Sequence, residues 1–300
     1  MIPFLKKGHR VSVVATAKSL SAGQIDAALK LIASWGLEVI RSPNLYARDH
    51  LFAGSDSDRL AALQHAIDDP QTHAVLFARG GYGTSRIIDQ VSWEGFKRHP
   101  KWLCGFSDVT VVHAHVGKHT GLPTIHSTMP IFFADGNENA GSVSLKRCLF
   151  GDPEKLNWPR HPLNRAGQAS GPLIGGNLAV LCSLFGTPSE PDFEGKILVL
   201  EDVGEYLYRL DRLVLQLKRS GVFSKIRGLV AGGFTDMLDN APAFGYSPEE
   251  ILDSAIGRLP IPVAYGAPIG HMADNRAIVI GAEYTLSVGD QGAQLAPGFI

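Results

Sequence analysis

A chain of 300 residues exceeds most single hydrophobic cores and suits two domains, each large enough to bury an interior. Its formal charge of −1 and 45% hydrophobic content supply no basic field for nucleic acid or anionic lipid, so neither is an expected partner. Cys104, Cys148 and Cys182 are odd in number, widely spaced and set in apolar text, the pattern of reduced core thiols and not of a disulfide framework or zinc site.

Near the start, Lys6 and Lys7 precede Val11-Ser12-Val13-Val14-Ala15, a run too short and too polar-flanked for a signal sequence. With no apolar run of membrane-spanning length further on, the expected location is the cytoplasm. From Arg10 to about Thr128, short β-branched runs alternate with helical stretches, which predicts a doubly wound parallel sheet with crossover helices. The predicted elements are a strand at 11–15, a helix at 22–35, a strand at 38–40, a helix at 55–68 and a strand at 74–78. A helix near 85–90, a strand at 102–105, a helix from Val109 to Lys118 and a short strand at 124–126 follow. Between about Asp135 and Gly167 the text turns to Gly, Asn, Pro and scattered charge, which predicts a connecting segment with little regular structure. The expected organisation is therefore a domain over 1–135, a linker over 136–167 and a second, mixed α+β domain over 168–300. Within the last, helices are predicted at 179–185, 207–220 and 248–257, and strands at 196–200, 228–232, 263–265 and 277–280.

Trp102-Leu103-Cys104-Gly105-Phe106-Ser107-Asp108 carries the chemistry most directly. An apolar strand that stops at Gly-x-Ser and passes straight into a helix lifts the serine hydroxyl out of the backbone and aims helix amides at whatever it attacks. Ser107 is the candidate nucleophile. The strand Ala74–Ala78 runs into Arg79-Gly80-Gly81-Tyr82-Gly83, whose bare amides can face the same point, since ligands bind at the carboxyl ends of such strands. Either signal alone also describes a plain connection.

A serine needs a base, and imidazole suits that task near neutral pH. Among eleven histidines, His113, His115 and His119 lie on the helix after Ser107 without a partnering acidic motif and read as helix-face or core residues. His271 follows a strand end in Tyr265-Gly266-Ala267-Pro268-Ile269-Gly270-His271, where it sits either at a cleft mouth or as an exposed loop residue. Glu201 closes the most apolar strand of the second half, either as a paired structural carboxylate or as the group that orients an imidazole. Cys104 lies inside its strand and is expected to be inert.

The motifs Arg79-Gly80-Gly81-Tyr82-Gly83, Gly105-Phe106-Ser107-Asp108-Val109-Thr110, Gly171-Pro172-Leu173-Ile174-Gly175-Gly176-Asn177-Leu178, Leu200-Glu201-Asp202-Val203-Gly204-Glu205 and Pro268-Ile269-Gly270-His271 come in that order. Together with Tyr208 and Asp211-Arg212, they resemble the LD-carboxypeptidase family of serine peptidases, from about residue 10 to residue 290. The resemblance implies a flavodoxin-like N-terminal domain, a smaller β-rich C-terminal domain and a homodimer. It also implies removal of the terminal D-alanine from murein tetrapeptides or muropeptides during cytoplasmic wall recycling, with no metal or organic cofactor. On this resemblance Ser107 attacks, His271 is base and then acid, Glu201 orients His271, and the amides of Gly81 and Asp108 form the oxyanion hole. Arg79 and Tyr82 become candidate contacts for a substrate carboxylate, although Arg79 equally suits a tie between loops.

The chain departs from the family pattern where the first strand ends in Ala15-Thr16-Ala17-Lys18, without the usual proline-containing turn. Lys18 there is either a cleft residue favouring an acidic group or an exposed turn lysine. Two other functions compete with the murein reading. One is a related peptidase hydrolysing a peptidyl or aminoacyl conjugate of a nucleotide antibiotic in self-immunity, which calls for linker aromatics that stack on a base; Trp158 is the one tryptophan there. The other is a non-enzymatic phosphate or nucleotide binder on the Gly80-Gly81 turn, which lacks the lysine of a P-loop.

Overall fold

In the computed structural model, which describes residues 2–299, the first half builds the expected sheet. Strands β1 (Arg10–Val14), β2 (Glu38–Arg41), β3 (Thr72–Phe77), β4 (Trp102–Gly105) and β5 (Thr124–His126) lie parallel in the order β2-β1-β3-β4-β5. This is the flavodoxin-like order, in which ligands collect at the carboxyl strand ends. Helices α1 (Asp26–Ser34), α2 (Asp56–Asp68), α3 (Glu94–Arg98) and α4 (Thr110–Thr120) cover the faces. The helix predicted from Ala22 starts only at Asp26, because Gly23 at φ +73° holds a turn there. The helix predicted near 85–90 resolves into two single 3₁₀ turns, Thr84–Arg86 and Ile88–Gln90, with α3 following.

The segment 136–167, expected to carry little regular structure, holds α5 (Ala140–Leu149) and β6 (Leu156–Trp158). Asn139 and Ser142 cap α5 reciprocally, and Leu145, Cys148 and Leu149 bury its inner face in the main core. Scattered polar residues had masked a capped amphipathic helix.

The remaining elements are β7 (Gly167–Asn177), α6 (Leu178–Ser183), β8 (Ile197–Val203), α7 (Leu207–Arg219), α8 (Val222–Lys225), β9 (Gly228–Thr235), α9 (Pro248–Ile256), β10 (Val263–Tyr265), β11 (Ile278–Ile280), β12 (Glu283–Gly289) and β13 (Gly292–Pro297). A seven-stranded sheet runs β10-β9-β8-β7-β12-β13-β6. Its first four strands are parallel and the other three antiparallel, with β7 long enough to pair β12 through its first part and β8 through its last. β11 leaves this sheet and pairs antiparallel with β5, Ile278 opposite His126. The end of the chain thus completes the first sheet, and one apolar cluster runs from Val13 and Leu76 through Ile278 to Val199 and Leu286. That shared core fixes the carboxyl ends of β3 and β4 relative to the carboxyl end of β8.

Candidate active site

Ser107 follows β4 and Phe106 and takes φ +64°, a left-handed conformation that costs a non-glycine residue of order 1 kcal/mol. The strand-to-helix turn requires it. At Gly105 a β-carbon would lie 2.8 Å from Val109 Cγ2 and 3.2 Å from Phe77 Cβ, so the elbow tolerates no side chain before Phe106. The turn after β3 packs directly on the serine, since a β-carbon on Gly80 would meet Ser107 Oγ at 3.0 Å. Gly81 and Gly83 adopt φ of +118° and +148°. Among the described residues, neither the Gly81 nor the Asp108 amide donates to another protein group, which leaves both free to donate to a ligand.

Glu201 stands at an irregularity of β8, where pairing with β9 slips between Leu200 and Asp202. Such a bulge re-aims one side chain out of the sheet. The carboxylate is fully buried, and its Oε2 accepts from the His271 backbone N–H at 3.2 Å and from Nδ1 at 2.7 Å. A carboxylate on Nδ1 puts the proton there and turns the Nε2 lone pair toward Ser107 Oγ, 3.2 Å away. The loop is held by Asn275, whose Oδ1 accepts from Gly270 N at 2.9 Å, and by Thr235 Oγ1, which donates to the His271 carbonyl at 2.7 Å. Phe106 lies against the imidazole at 4.7 Å between ring centroids and excludes water from one face. His271 is therefore no free loop residue, and Glu201 is no isolated structural acid.

The halves of the site are joined at one further point. Thr110 Oγ1, in the first turn of α4, accepts from the Asn177 amide at 3.0 Å, and a β-carbon on Gly176 would sit 2.6 Å from that oxygen. Asn177 Nδ2 in turn donates to Asp202 Oδ1 at 2.9 Å, which places the glycine pair of β7 between the elbow helix and the Glu201 strand. Thr110, Asn177 and Asp202 stand within the sequence motifs with no part of their own; Asn177 and Asp202 carry the signal of a polar residue at the end of an apolar strand, and Thr110, in the first turn of α4, carries none.

Arg79 donates through Nη1 to the Ser19 carbonyl at 2.9 Å, the loop tie considered above, while burial lowers its pKa. Tyr82 is half exposed on the rim with its ring 6.0 Å from that of Phe52, and Lys18 packs its Cβ against Gly81. His113, His115 and His119 are structural. His113 bonds Thr124 Oγ1 and the Gly105 carbonyl, His115 bonds Ser189 Oγ, and His119 bonds the Pro188 carbonyl. Burial brings the first two down to about 4, which keeps them neutral. Burial pushes the Cys104 thiol well up, as expected of an inert core cysteine. Trp158 is buried and donates to the Tyr265 carbonyl at 2.9 Å, so its ring has no free face for a base. No group of three or more His, Cys, Asp or Glu among the described residues is placed to hold a metal ion, and no helix there is long and apolar enough to cross a membrane.

A flavodoxin-like sheet bears a serine at a strand-end elbow, with an imidazole and a buried carboxylate in hydrogen-bonded series, an arrangement suited to a hydrolase. Residues 11–127 match the LD-carboxypeptidase N-terminal domain and residues 170–286 the LD-carboxypeptidase C-terminal domain, so the chain belongs to the LD-carboxypeptidase family of serine peptidases. It is 32% identical over 283 residues to the murein tetrapeptide carboxypeptidase of Pseudomonas aeruginosa, an alignment covering 89% of this chain and 90% of that one. The crystal structure of a muramoyltetrapeptide carboxypeptidase from Oxalobacter formigenes superposes with a TM-score of 0.88 at 28% identity, covering 96% of this chain and 98% of that one. MccF in complex with glutamyl sulfamoyl guanosine superposes at 0.87 with 17% identity over 99% and 98% of the two chains, a likeness of fold. The chain is accordingly a carboxypeptidase-type hydrolase.

Proposed function

We propose that the protein is a serine carboxypeptidase that cleaves the bond between an L-centre and the terminal D-alanine of murein tetrapeptides, acting in cytoplasmic wall recycling as a homodimer. The observation that carries this reading is the continuous series Ser107 Oγ, His271 Nε2, His271 Nδ1, Glu201 Oε2, with separations of 3.2 and 2.7 Å across its two hydrogen bonds. The likeness to the Pseudomonas aeruginosa and Oxalobacter formigenes enzymes supports the choice of substrate.

The reaction begins when Ser107 Oγ attacks the scissile carbonyl carbon and its proton passes to His271 Nε2. Glu201 stabilises the imidazolium, and the Gly81 and Asp108 amides take the oxyanion, each donor worth about 3 kcal/mol of barrier. As the intermediate collapses, the C–N bond breaks, His271 returns the proton to the amine and D-alanine leaves. Water, deprotonated by the same imidazole, then hydrolyses the acyl-serine. Arg79 and Tyr82, on the turn beside Gly81, contact the substrate carboxylate in this scheme.

The test is D-alanine release from a murein tetrapeptide by the parent and by Ser107→Ala. Release by the parent and a loss of at least ~10³-fold in the variant is expected for a serine triad. Equal release by both sinks Ser107 as nucleophile. A parent that ignores the tetrapeptide and hydrolyses an aminoacyl sulfamoyl nucleotide overturns the substrate and installs the antibiotic-conjugate reading.

A further inference from the structure

Arg59 and the Asp108 side chain are deeply buried charged groups beside the nucleophile turn, with 0% and 2% of their surface exposed. Both are spent on one peptide bond. The Gly83 carbonyl accepts from Arg59 Nη1 at 2.8 Å, and the N–H of the same peptide, that of Thr84, donates to Asp108 Oδ2 at 2.9 Å. Arg59 Nη1 also donates to the Thr16 carbonyl at 2.7 Å, just past β1, and Nη2 pairs with Asp56 at the start of α2. Thr16 Oγ1 and Thr84 Oγ1 close the knot at 2.9 Å, and the guanidinium carbon lies 4.7 Å from the Phe52 ring centroid.

Desolvating a guanidinium and a carboxylate carries a penalty that buried ion pairs often fail to repay, so stability alone does not account for them here. What distinguishes this turn is its freedom. Gly80, Gly81 and Gly83 leave the backbone of 80–84 with few steric limits, and a rotated peptide would swing the Gly81 amide away from Ser107. The Gly83–Thr84 plane is clamped from both sides, oxygen by cation and nitrogen by anion, so the far end of the turn has one orientation. A β-carbon on Gly83 would meet Arg59 Nη1 at 2.7 Å, which makes glycine a requirement of the clamp itself. At the near end, Ala78 N donates to the Val14 carbonyl at 2.8 Å.

We propose that Arg59 and the Asp108 carboxylate are positioning residues that lock the Gly80–Thr84 turn so that the Gly81 amide points at the reacting carbonyl. The inference rests on the acyl-transfer reading of Ser107. Asp108 then acts twice: its backbone N–H is one oxyanion donor, and its side chain sets the place of the other. The separation of the two donors is fixed through a single residue, without relying on the flexible glycines between.

The experiment compares Asp108→Ala and Arg59→Met with the conservative Asp108→Asn and Arg59→Lys. It follows kcat and KM for D-alanine release, the rate of inactivation by an alkyl fluorophosphonate, and thermal unfolding. Losing the aim of one donor lowers kcat and the phosphonylation rate by ~10²–10³-fold in Asp108→Ala and Arg59→Met, with KM within ~3-fold of the parent. Asp108→Asn, whose amide oxygen still accepts from Thr84 N–H, is expected to stay within ~10-fold of the parent. Folded Asp108→Ala with the parent's kcat and phosphonylation rate overturns the proposal, as does a loss in Asp108→Asn equal to that in Asp108→Ala. If Arg59→Met does not fold, the Asp108 pair decides alone. A parent that reacts with the fluorophosphonate but releases no D-alanine removes the murein substrate while the clamp is still scored on phosphonylation; a parent inert to both removes the acyl-transfer reading and the clamp with it.

Discussion

The nucleophile side and the base side of the site reach the same precision by opposite means. Around Ser107 the chain holds a disfavoured backbone, φ +64°, and surrounds it with buried polar groups from α2, β1 and the turn after β3. Around Glu201 no residue of β8 has a positive φ, and beyond the slip in pairing, position comes from close approach: Gly232 and Gly270 let two other segments press on the carboxylate's own stem. The first side stores strain that a polar network holds in place; the second packs an unstrained residue where no other shape fits. Hence activity and stability should separate on the nucleophile side and fall together on the base side.

Gly270→Ala should give the largest effect on stability. A β-carbon there lies 2.5 Å from Glu201 Cβ and 2.6 Å from Oε2, and φ is +105°, so both sterics and backbone oppose it. The expected loss is ~2–4 kcal/mol of unfolding free energy together with at least ~10²-fold in kcat, because the segment that moves carries His271. Denaturant unfolding and D-alanine release on the same preparation check it. Intact activity in a destabilised Gly270→Ala protein would break the link claimed for this side.

How much of this was legible beforehand follows the range of the interactions. Ser107 and Glu201 lie near the ends of strands, where an apolar run that stops is visible within a few residues, and His271 lies in the loop that follows β10. The parallel sheet with crossover helices likewise follows from alternating local patterns, whereas the order β2-β1-β3-β4-β5 does not, because local alternation leaves strand neighbours open. Arg59 was not legible: it stands in an acidic, capped first turn that reads as solvated, and its carbonyl partners Thr16 and Gly83 are 43 and 24 positions away. β11 read correctly as a strand, but an Ile-Val-Ile run is equally apolar in either sheet, and only the fold places it beside β5. The β12–β13 hairpin lies outside the predicted elements although Glu283–Gly289 alternates buried with more exposed residues at a period of two, the pattern of a half-buried strand.

Buried charged groups on both sides also make stability depend on pH. On the base side burial raises the Asp202 carboxyl to about 6, against opposing bonds from Val203, Asn177 and Ala179. On the nucleophile side burial lowers Lys101, which leads into β4 and donates to the Ala66 and Asp69 carbonyls, to about 8. A folded pKa above the unfolded value gives stability that is present below pH 3.8 and lost as pH rises through 6. A folded lysine pKa below the unfolded value gives stability that is present above pH 10.5 and lost as pH falls through 8. The unfolding free energy of the parent relative to Asp202→Asn should therefore fall between pH 4 and 6, and relative to Lys101→Met should rise between pH 8 and 10, each by about 1–2 kcal/mol. Denaturant titrations across pH measure both, and a flat difference for either variant would remove that group from the account.

The smallest expected effect tests the idea of strain most directly. Ser107→Ala and Ser107→Gly both remove the nucleophile, so neither should release D-alanine at more than a small fraction of the parent rate. They differ in backbone: alanine keeps the penalty of φ +64°, whereas glycine adopts that angle freely. Against this, glycine gives the unfolded chain more freedom to lose, which offsets part of the gain. The balance should leave Ser107→Gly more stable than Ser107→Ala by about 0.5–1 kcal/mol, read from paired denaturation midpoints at equal slope. An alanine variant as stable as the glycine variant would mean that the elbow is not strained. The contrast would then lie in polarity alone, since the base side would still depend on glycine for room and the nucleophile side would owe its shape wholly to Arg59, Asp108 and the peptide between them.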